Sequence, residues 1–370
     1  MEEELTEVIL WHSRAYPHMK PADYVKLLYQ NEFGCSHFLK DPGQSLDRLK
    51  EEFFSLPAPK GNTGRGPRME PIGNELCRVF LEPGQQTEEF LPLLNRMQSA
   101  TARTYEGNRM RFQKKLSLLR NMAAKGQLTV GGEEMDAFLS RYVSSGCEPI
   151  GHSPEYQKYY SPHYRVAKAA YYAYLPVFRA VMKLTASHNV NARRPVLLAL
   201  DGRCGSGKSY LAGLLREVFG CNVFHIDDFY VPQERRDADW MKQPGGNIDR
   251  ERLLKEVLQP LREGRKVVYC PYSCQKGAML PPVEAEPKPL AVVEGSYCLH
   301  PDFRNFFDYR VFLTCLPNVQ QRRIFLRGDG KRLHDFLEKW IPAEERYLEE
   351  MKIGDFCDLA LDTSGFEDFA

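Results

Sequence analysis

The chain has 370 residues, of which 43% are hydrophobic and 27% are charged, and its formal net charge is +1. These values allow a packed core and exclude a chain that is disordered throughout. They also exclude a strong overall field that would attract nucleic acid or an anionic membrane. The length suggests roughly two to three domains.

The cysteines and the apolar runs indicate the compartment in which the chain works. The 10 cysteines include no C-x-x-C pair, which is typical of reduced thiols in a cytosolic protein. The acidic start, Met1 to Glu4, lacks the apolar stretch of a signal peptide. No apolar run approaches the roughly 18 residues that a membrane helix needs. We therefore expect a cytoplasmic protein without a membrane partner.

Residues 1–190 are predicted to form a mainly α-helical domain, whose role the sequence does not reveal. Apolar side chains recur at helical spacing in residues 23–29, 45–54 and 109–124. The last of these helices is strongly basic. Such a helix can bind nucleic acid or another anion, or it can be a solvated helix face whose charges are balanced elsewhere in the fold. Few aromatic residues accompany its cations and the net charge is near zero, so we favour the solvated face and do not expect nucleic acid as a partner.

A tyrosine-rich segment, residues 147–175, ends this domain. It also contains His152, His163 and Arg165. Tyrosines with a few convergent cations can line a small-molecule pocket, and they can equally form the seam between two domains; both interpretations stay open. A helix is predicted from about 165 to 187. The polar stretch 188–195 then predicts the domain boundary at 190/191.

Residues 191–370 alternate between strands and helices. This alternation predicts an α/β domain with a parallel sheet and helices on both of its faces. The predicted strands are residues 196–200, 222–226, 290–293, 310–313 and 357–361.

A glycine-rich loop follows the first of these strands. Its sequence, Gly-Arg-Cys-Gly-Ser-Gly-Lys-Ser, matches the phosphate-binding pattern G-x-x-x-x-G-K-[ST], and helical spacing follows it. Backbone N–H groups of such a loop surround phosphate oxygens, and the helix N-terminus adds partial positive charge. In this pattern the lysine reaches the β- and γ-phosphates and the last serine binds Mg²⁺. We therefore predict an ATP site formed by Gly202, Arg203, Cys204, Gly205, Ser206, Gly207, Lys208, Ser209 and Tyr210.

Acidic residues follow two further predicted strands. Asp227 and Asp228 come after residues 222–226, and Glu294 ends the strand at 290–293. Ligands of parallel α/β sheets bind at the carboxyl ends of the strands. A carboxylate there can take the proton of an attacking hydroxyl, and Glu294 can hold Mg²⁺ directly or through water. A helix N-cap for the aspartates and a solvent-facing Glu294 are the alternatives, and we favour the active roles.

Residues 320–332 concentrate arginine and lysine beside two glycines. Arg323 and Arg327 are four residues apart and would share one face of a helix. A mobile segment of this kind can close on a triphosphate and stabilise the charge of the transferring group. By itself the segment would fit a solvated basic face, but beside the phosphate-binding loop and the acids we favour the lid.

Taken in order, these motifs resemble the uridine kinase and phosphoribulokinase superfamily, over roughly half of the chain. The resemblance includes Asp-Asp-Phe-Tyr at 227–230 and Val-Val-Glu-Gly-Ser-Tyr at 292–297. It implies that Asp227 is the general base, that Ser209 and Glu294 serve Mg²⁺, and that the two arginines belong to the lid. Bacterial uridine-kinase-like proteins with an extra N-terminal region look most similar, in residues 152–153, 160–165, 270–274 and 336–345.

We therefore predict an ATP-dependent kinase that phosphorylates a hydroxyl of a small metabolite. A nucleoside is the first candidate for the acceptor, and a vitamin precursor or a sugar phosphate is the next. Residues 271–276 lack the Asp and the His of the acceptor motif in true uridine kinases, which leaves the acceptor open. A nucleotide-gated regulatory protein is the rival reading, and a homo-oligomer stays open. The predicted catalytic residues are Asp227, Lys208, Arg323 and Arg327, and the predicted acceptor pocket contains Asp228, Phe229, Tyr230, Arg235, Arg236, Trp240 and Tyr272.

Overall fold

The computed structural model describes residues 2–35, 42–57, 68–83, 88–188, 194–328 and 330–366. The chain divides into two compact units, Met1–Ala173 and Tyr174–Ala370, called here the N-terminal and the C-terminal unit. The predicted boundary at 190/191 falls within residues 189–193, which lie outside the described residues. The helix before it, predicted as N-terminal, is counted with the C-terminal unit.

The N-terminal unit combines helices with a three-stranded antiparallel sheet of order β1–β2–β3. Its elements are α1 (Glu2–Ala15), α2 (Pro21–Phe33), α3 (Pro42–Ser55), β1 (Met69–Gly73), β2 (Leu76–Phe80), α4 (Phe90–Thr104), α5 (Arg109–Ala124), α6 (Gly132–Ser144), α7 (Pro154–Tyr160), β3 (Tyr164–Lys168) and α8 (Ala169–Ala173).

The start of the helix predicted from about residue 165 is wrong, because Arg165 lies in β3. Strand β3 pairs with β2 along its whole length: Lys168 lies opposite Leu76 at one end, and Tyr164 lies opposite Phe80 at the other. The side chains of Val166 and Ala167 are buried there. Pairing with a distant strand therefore overrides the local helical spacing, as is common for short segments with β-branched and aromatic residues.

Three cations of the basic helix α5 are bound to carboxylates. Lys115 and Arg111 contact Glu32 at 2.6 Å and 2.9 Å, and Arg120 contacts Asp136 at 2.7 Å. The helix also packs into the core of the unit through residues that include Phe112, Leu116 and Leu119. Packing and ion pairs therefore both hold this helix.

The C-terminal unit contains a five-stranded parallel sheet of order β12–β11–β4–β10–β5, which confirms the predicted fold class. Its elements are α9 (Leu175–Ser187), β4 (Val196–Gly202), α10 (Lys208–Phe219), β5 (Asn222–His225), α11 (Arg250–Leu253), α12 (Gln259–Arg262), β6 (Val267–Tyr269), β7 (Tyr272–Ser273), β8 (Ala278–Met279), β9 (Val283–Ala285), β10 (Leu290–Glu294), β11 (Tyr309–Thr314), α13 (Pro317–Leu326), α14 (Gly330–Asp335), α15 (Ile341–Glu350) and β12 (Leu359–Asp362).

The two central strands, β4 and β10, are buried along their whole length. This is why both read as continuous apolar runs in the sequence. In the register of the sheet, Glu294 at the end of β10 lies opposite Leu200 in β4 and opposite His225 in β5. The loops that follow these three strands therefore meet at one edge of the sheet.

No helix within the described residues combines the length and the apolar character that crossing a bilayer needs.

Candidate active site

A cavity of about 540 Å³ lies at this edge of the sheet, and we call it the sheet-edge cavity. It brings together parts of four predicted groups: the glycine-rich loop, the strand-terminal acids, the acceptor pocket and the lid. The predicted residues that line it are Cys204, Gly205, Gly207, Lys208, Ser209, Asp227, Tyr230, Arg236, Tyr272, Glu294 and Arg327.

The glycine-rich loop leaves β4 through a position that only glycine can occupy. Gly202 has φ +135°, and a Cβ there would lie 1.9 Å from the carbonyl oxygen of Leu313 in the neighbouring strand. The loop then leads into α10, whose first residue is Lys208. The lysine Nζ donates to the carbonyl oxygens of Gly202 at 2.6 Å and Arg203 at 3.0 Å. In this state the loop's own carbonyl groups hold the ammonium that was predicted to hold phosphate.

A carboxylate from α15 also contacts the loop. Glu344 is 4% exposed, and its Oε2 accepts a hydrogen bond from the backbone N–H of Cys204 at 2.7 Å. Its Oε1 accepts one from the hydroxyl of Ser296. An anionic oxygen therefore already occupies one of the N–H groups that such a loop offers to phosphate. The sequence analysis gave Glu344 no role, because nothing in its spacing connects it with a loop 140 residues earlier.

Asp227 and Glu294, two of the three acids that line the cavity, lie at the carboxyl ends of neighbouring strands. Asp227 lies in the turn after β5, where its Oδ1 accepts a hydrogen bond from the hydroxyl of Tyr230 at 2.8 Å. Burial raises the pKa of this carboxyl, so its ionised form is more basic than that of an ordinary aspartate. Glu294 accepts a hydrogen bond from Nδ1 of His225 at 2.5 Å. That bond is the main cause that raises the pKa of His225.

The predicted Mg²⁺ ligands are compatible with that ion. Ser209 and Glu294 both line the cavity, together with Asp227. Hydroxyl and carboxylate oxygens are the donors that Mg²⁺ prefers, and it is usually bound through one or two carboxylates plus the phosphates of a substrate. The chemistry of this donor set therefore fits the predicted metal.

Four residues predicted for the acceptor pocket do not line the cavity, and two of them, Asp228 and Phe229, belong to the motif that contains Asp227. The carboxylate of Asp228 accepts a hydrogen bond from the hydroxyl of Tyr269 at 2.9 Å. Phe229 is fully buried in the core of the unit, with its ring stacked on Tyr269 at 5.2 Å. Both follow Asp227 in a tight 3₁₀ turn, which sends consecutive side chains in different directions. Only Asp227 and Tyr230 of this motif reach the cavity.

The two predicted lid arginines have different positions. Arg323 is 8% exposed and donates to the hydroxyl and carbonyl oxygens of Thr363 at 3.0 Å and 2.9 Å, and to the carbonyl oxygen of Gly205 at 3.2 Å. It does not line the cavity, whereas Arg327 does. The geometry thus corrects the expectation for Arg323: its guanidinium ties α13 to β12 and the loop. Residue 329 of the predicted lid lies outside the described residues.

Several other predicted residues support the cavity from outside its lining. Arg203 is bound to Glu345 at 2.6 Å, and Ser206 is fully buried. Trp240 packs against Trp340, which does line the cavity, with ring centroids 5.4 Å apart. The remaining predicted residues outside the lining are Gly202, Tyr210 and Arg235.

Some lining residues were not predicted. Gln233 and Trp340 line the cavity, and so do Ser296 and Tyr297, which follow Glu294 after one glycine. The latter pair belongs to the motif from which Glu294 was predicted, so its position after a strand could have identified it. The sequence around Trp340 contains no comparable pattern that would predict a site residue.

The parallel sheet and the glycine-rich loop at its edge define the C-terminal unit as a P-loop domain of the α/β class. No protein-family model matches the chain. A phosphoribulokinase from Synechocystis is 26% identical over 148 residues, which are 39% of this chain and 45% of that protein. A uridine kinase from Clostridium novyi is 25% identical over 174 residues, 43% of this chain and 84% of that protein.

These relatives confirm the resemblance to the uridine kinase and phosphoribulokinase superfamily, over about two fifths of the chain. The chain spans less than half the length of the phosphoribulokinase that it matches. Among solved structures, that of a possible uridine kinase from Bacillus stearothermophilus is 23% identical, with a TM-score of 0.39; the match covers 49% of this chain and 94% of that one.

Proposed function

We propose that the C-terminal unit transfers a phosphoryl group from ATP to a hydroxyl of a small metabolite. The observation that carries this proposal is that Lys208 of the glycine-rich loop and Asp227 line the same cavity. A loop alone would account for nucleotide binding. A carboxylate of raised pKa facing the same space would supply the base that an alcohol acceptor needs.

ATP with Mg²⁺ would supply the transferable phosphoryl group. Within the chain, Lys208 and the N–H groups of the loop would bind the phosphates, and Arg327 would neutralise charge on the transferring group. Asp227 would orient the acceptor hydroxyl and accept its proton. Ser209 and Glu294 would hold the metal. A phosphate that uses the N–H of Cys204 would have to displace Glu344 from it.

A nucleoside fits the remaining part of the cavity best. Tyr230, Tyr272 and Trp340 offer aromatic surfaces on which a base can stack, and Gln233 and Arg236 offer hydrogen-bond donors. One relative is named a uridine kinase and another a phosphoribulokinase, so a sugar phosphate remains the alternative, with a vitamin precursor after it.

The proposal is tested by incubating the protein with ATP, Mg²⁺ and a library of nucleosides, sugar phosphates and vitamin precursors while ADP formation is followed. A kinase consumes ATP rapidly only in wells that hold its acceptor, and Asp227→Asn should abolish that response. Slow hydrolysis at the same rate in every well would contradict a kinase and would favour the regulatory alternative.

The contact of Glu344 with the loop is the one observation that favours this alternative. Because a phosphate that uses the N–H of Cys204 would have to displace the carboxylate, nucleotide binding of this kind is coupled to a movement of α15 or of its side chain. A nucleotide-gated binding protein would use this coupling as its output. In a kinase the same movement would accompany closure over the substrate.

A further inference from the structure

The N-terminal unit has a cavity of its own, of about 620 Å³, which we call the N-terminal cavity. This volume is typical of sites for small ligands. Its wall is formed by Lys26 and Gln30 of α2, Arg48 and Glu52 of α3, Gln98 of α4 and Arg165 of β3, among others. The cavity therefore sits where three helices meet the edge of the small sheet.

The charges of this wall do not balance. Three cations, Lys26, Arg48 and Arg165, line the cavity together with one carboxylate, Glu52. That carboxylate is already bound by Arg165 at 2.6 Å and by His163 at 2.8 Å. Within the described part of the chain, no carboxylate forms an ion pair with Lys26 or Arg48. The difference, three minus one, leaves the lining residues with a net charge of plus two, and Asp23, which does not line the cavity, offsets part of the charge of Lys26.

A further cation lies behind the wall. Arg78 is 1% exposed, and its guanidinium donates to Oε1 of Gln30 at 3.0 Å and 2.7 Å. It lies over the ring of Tyr164 at 4.7 Å, and no carboxylate of the described ranges pairs with it. A buried charge is costly unless an opposite charge compensates it. Burial, followed by repulsion from Arg78, lowers the pKa of Lys26 to about 8.

The wall also contains a polar atom that lacks a partner. Gln98 is 5% exposed, and its Oε1 accepts no hydrogen bond from any described residue. Such orphaned acceptors are uncommon in folded proteins. Because Gln98 lines the cavity, a hydroxyl group of a bound molecule can donate to it.

Hydrogen bonds hold the polar groups around the cavity in place. Nδ1 of His152 bonds to the carboxylate of Asp23 at 2.9 Å, and Nε2 bonds to the hydroxyl of Tyr164 at 2.7 Å. Burial lowers the pKa of His152 to about 4, so the ring is neutral at pH 7. Its Nδ1 then donates to Asp23, and Tyr164 donates to Nε2. The site is therefore organised before any ligand enters.

We propose that the N-terminal cavity binds a small metabolite that carries a dianionic group and a hydroxyl. The net charge of plus two on the lining residues matches a dianion, and the orphaned amide oxygen of Gln98 matches a hydroxyl donor. A phosphate monoester and a dicarboxylate share this chemistry. The inference is independent of phosphoryl transfer in the C-terminal unit, and every residue that carries it belongs to the N-terminal unit.

The test uses the full chain with Lys208→Ala, so that the glycine-rich loop does not compete for anions. Glycerol 2-phosphate and malate, which both carry a hydroxyl, are titrated by calorimetry at about 150 mM salt, which screens exposed charges. We expect one of the two to bind with a Kd of about 1 mM or tighter, glycerol 2-phosphate if the natural ligand is a phosphate ester and malate if it is a dicarboxylate. Lys26→Gln and Arg48→Gln should each weaken that binding about tenfold.

Lys125→Gln is the matched control, because it removes an exposed cation from the same unit and should leave the Kd within about twofold. Titration at pH 8.5 gives a second readout. An anion raises the pKa of Lys26, so binding should take up protons from the buffer, and Lys26→Gln should abolish that uptake. Failure of both probes to bind, or equal binding by Lys26→Gln, Arg48→Gln and Lys125→Gln, would overturn the proposal.

Discussion

The two cavities are similar in volume, about 540 Å³ and 620 Å³, and differ in charge. Three cations and three carboxylates line the sheet-edge cavity: Lys208, Arg236, Arg327, Asp227, Glu294 and Glu344. Three cations face a single carboxylate in the N-terminal cavity. A balanced wall suits a site that takes up a metal ion with a polyphosphate, whereas a positive wall suits an anion that arrives without a metal. The balance of charges on the lining therefore distinguishes the two cavities, whereas their volumes do not.

The largest effect is expected from Lys208→Ala. This change removes the ammonium that would neutralise the phosphates, so turnover should fall about a hundredfold or more. Lys255→Ala, at an exposed lysine of the same unit paired with Glu251, is the control and should leave turnover unchanged. Steady-state kinetics and a thermal melt check the prediction. Turnover that survives in a folded Lys208→Ala protein would remove the glycine-rich loop from the mechanism.

Asp227 and Asp228 form a matched pair for the acceptor side. Asp227→Asn should lower kcat about a hundredfold or more, while Asp228→Asn, which loses only a contact with Tyr269, should change kcat less than about fivefold. Because burial raises the pKa of Asp227, kcat/KM should fall with decreasing pH at a higher pH than an ordinary aspartate would produce. Equal losses in the two variants would show that neither is the base.

Substitutions of Arg327 and Arg323 should distinguish a role in stabilising the transferring phosphoryl group from a role in the stability of the fold. Arg327→Gln should lower kcat/KM about tenfold or more, because the residue lines the cavity. Arg323→Gln should lower Tm, because it breaks buried hydrogen bonds to Thr363. Kinetics and melts of both proteins give the answer. The opposite pattern, a stable Arg323→Gln without activity, would restore Arg323 to the lid.

Glu344 and Glu345 are adjacent but contact different groups. Glu344→Gln should tighten the binding of Mg²⁺–ATP about threefold to tenfold, since the carboxylate that takes the N–H of Cys204 is lost. Glu345 binds Arg203 instead, and Glu345→Gln should not tighten binding. Fluorescent nucleotide titrations compare the two. Weaker binding by Glu344→Gln would mean that the carboxylate helps to hold the nucleotide or its metal.

The smallest effect concerns the stability of the positive N-terminal cavity. Burial lowers the pKa of Lys26 to about 8 from its ordinary 10.5. Below pH 8 the buried lysine is charged, and its burial lowers the free energy of unfolding by the full amount. This destabilisation disappears as the pH rises towards 10.5. Lys26→Gln should therefore raise Tm by about a few degrees at pH 7 and by less at pH 9.5. Differential scanning calorimetry measures both values. A lower Tm at pH 7 would show that the lysine is compensated.

The sequence predicted the C-terminal unit better than the N-terminal one for a physical reason. In a P-loop domain, short consecutive segments such as the glycine-rich loop and Asp227 carry the chemistry, and the parallel sheet brings their strand ends to one edge. The N-terminal cavity is assembled from single residues that are far apart, such as Lys26 and Arg165. The spacing of these residues along the chain does not indicate that they line the same cavity.

Errors inside the predicted site came from directions of side chains. The motif at 227–230 predicted four site residues, but its tight turn buries Phe229 and directs Asp228 to Tyr269. Helical spacing placed Arg323 beside Arg327, yet acceptors on Thr363 bind Arg323. Glu344 was missed because its partner, the N–H of Cys204, belongs to the backbone. Each of these outcomes depends on tertiary contacts that no local pattern contains.

The central claim is that the sheet-edge cavity moves the terminal phosphoryl group of ATP onto an alcohol. Following the γ-phosphorus of labelled ATP in the presence of the acceptor found in the library tests it most directly. The account predicts that the wild-type protein places the label in an organic phosphate ester and that Asp227→Asn does not. Label found solely in inorganic phosphate, at a rate that the acceptor does not change, would contradict it.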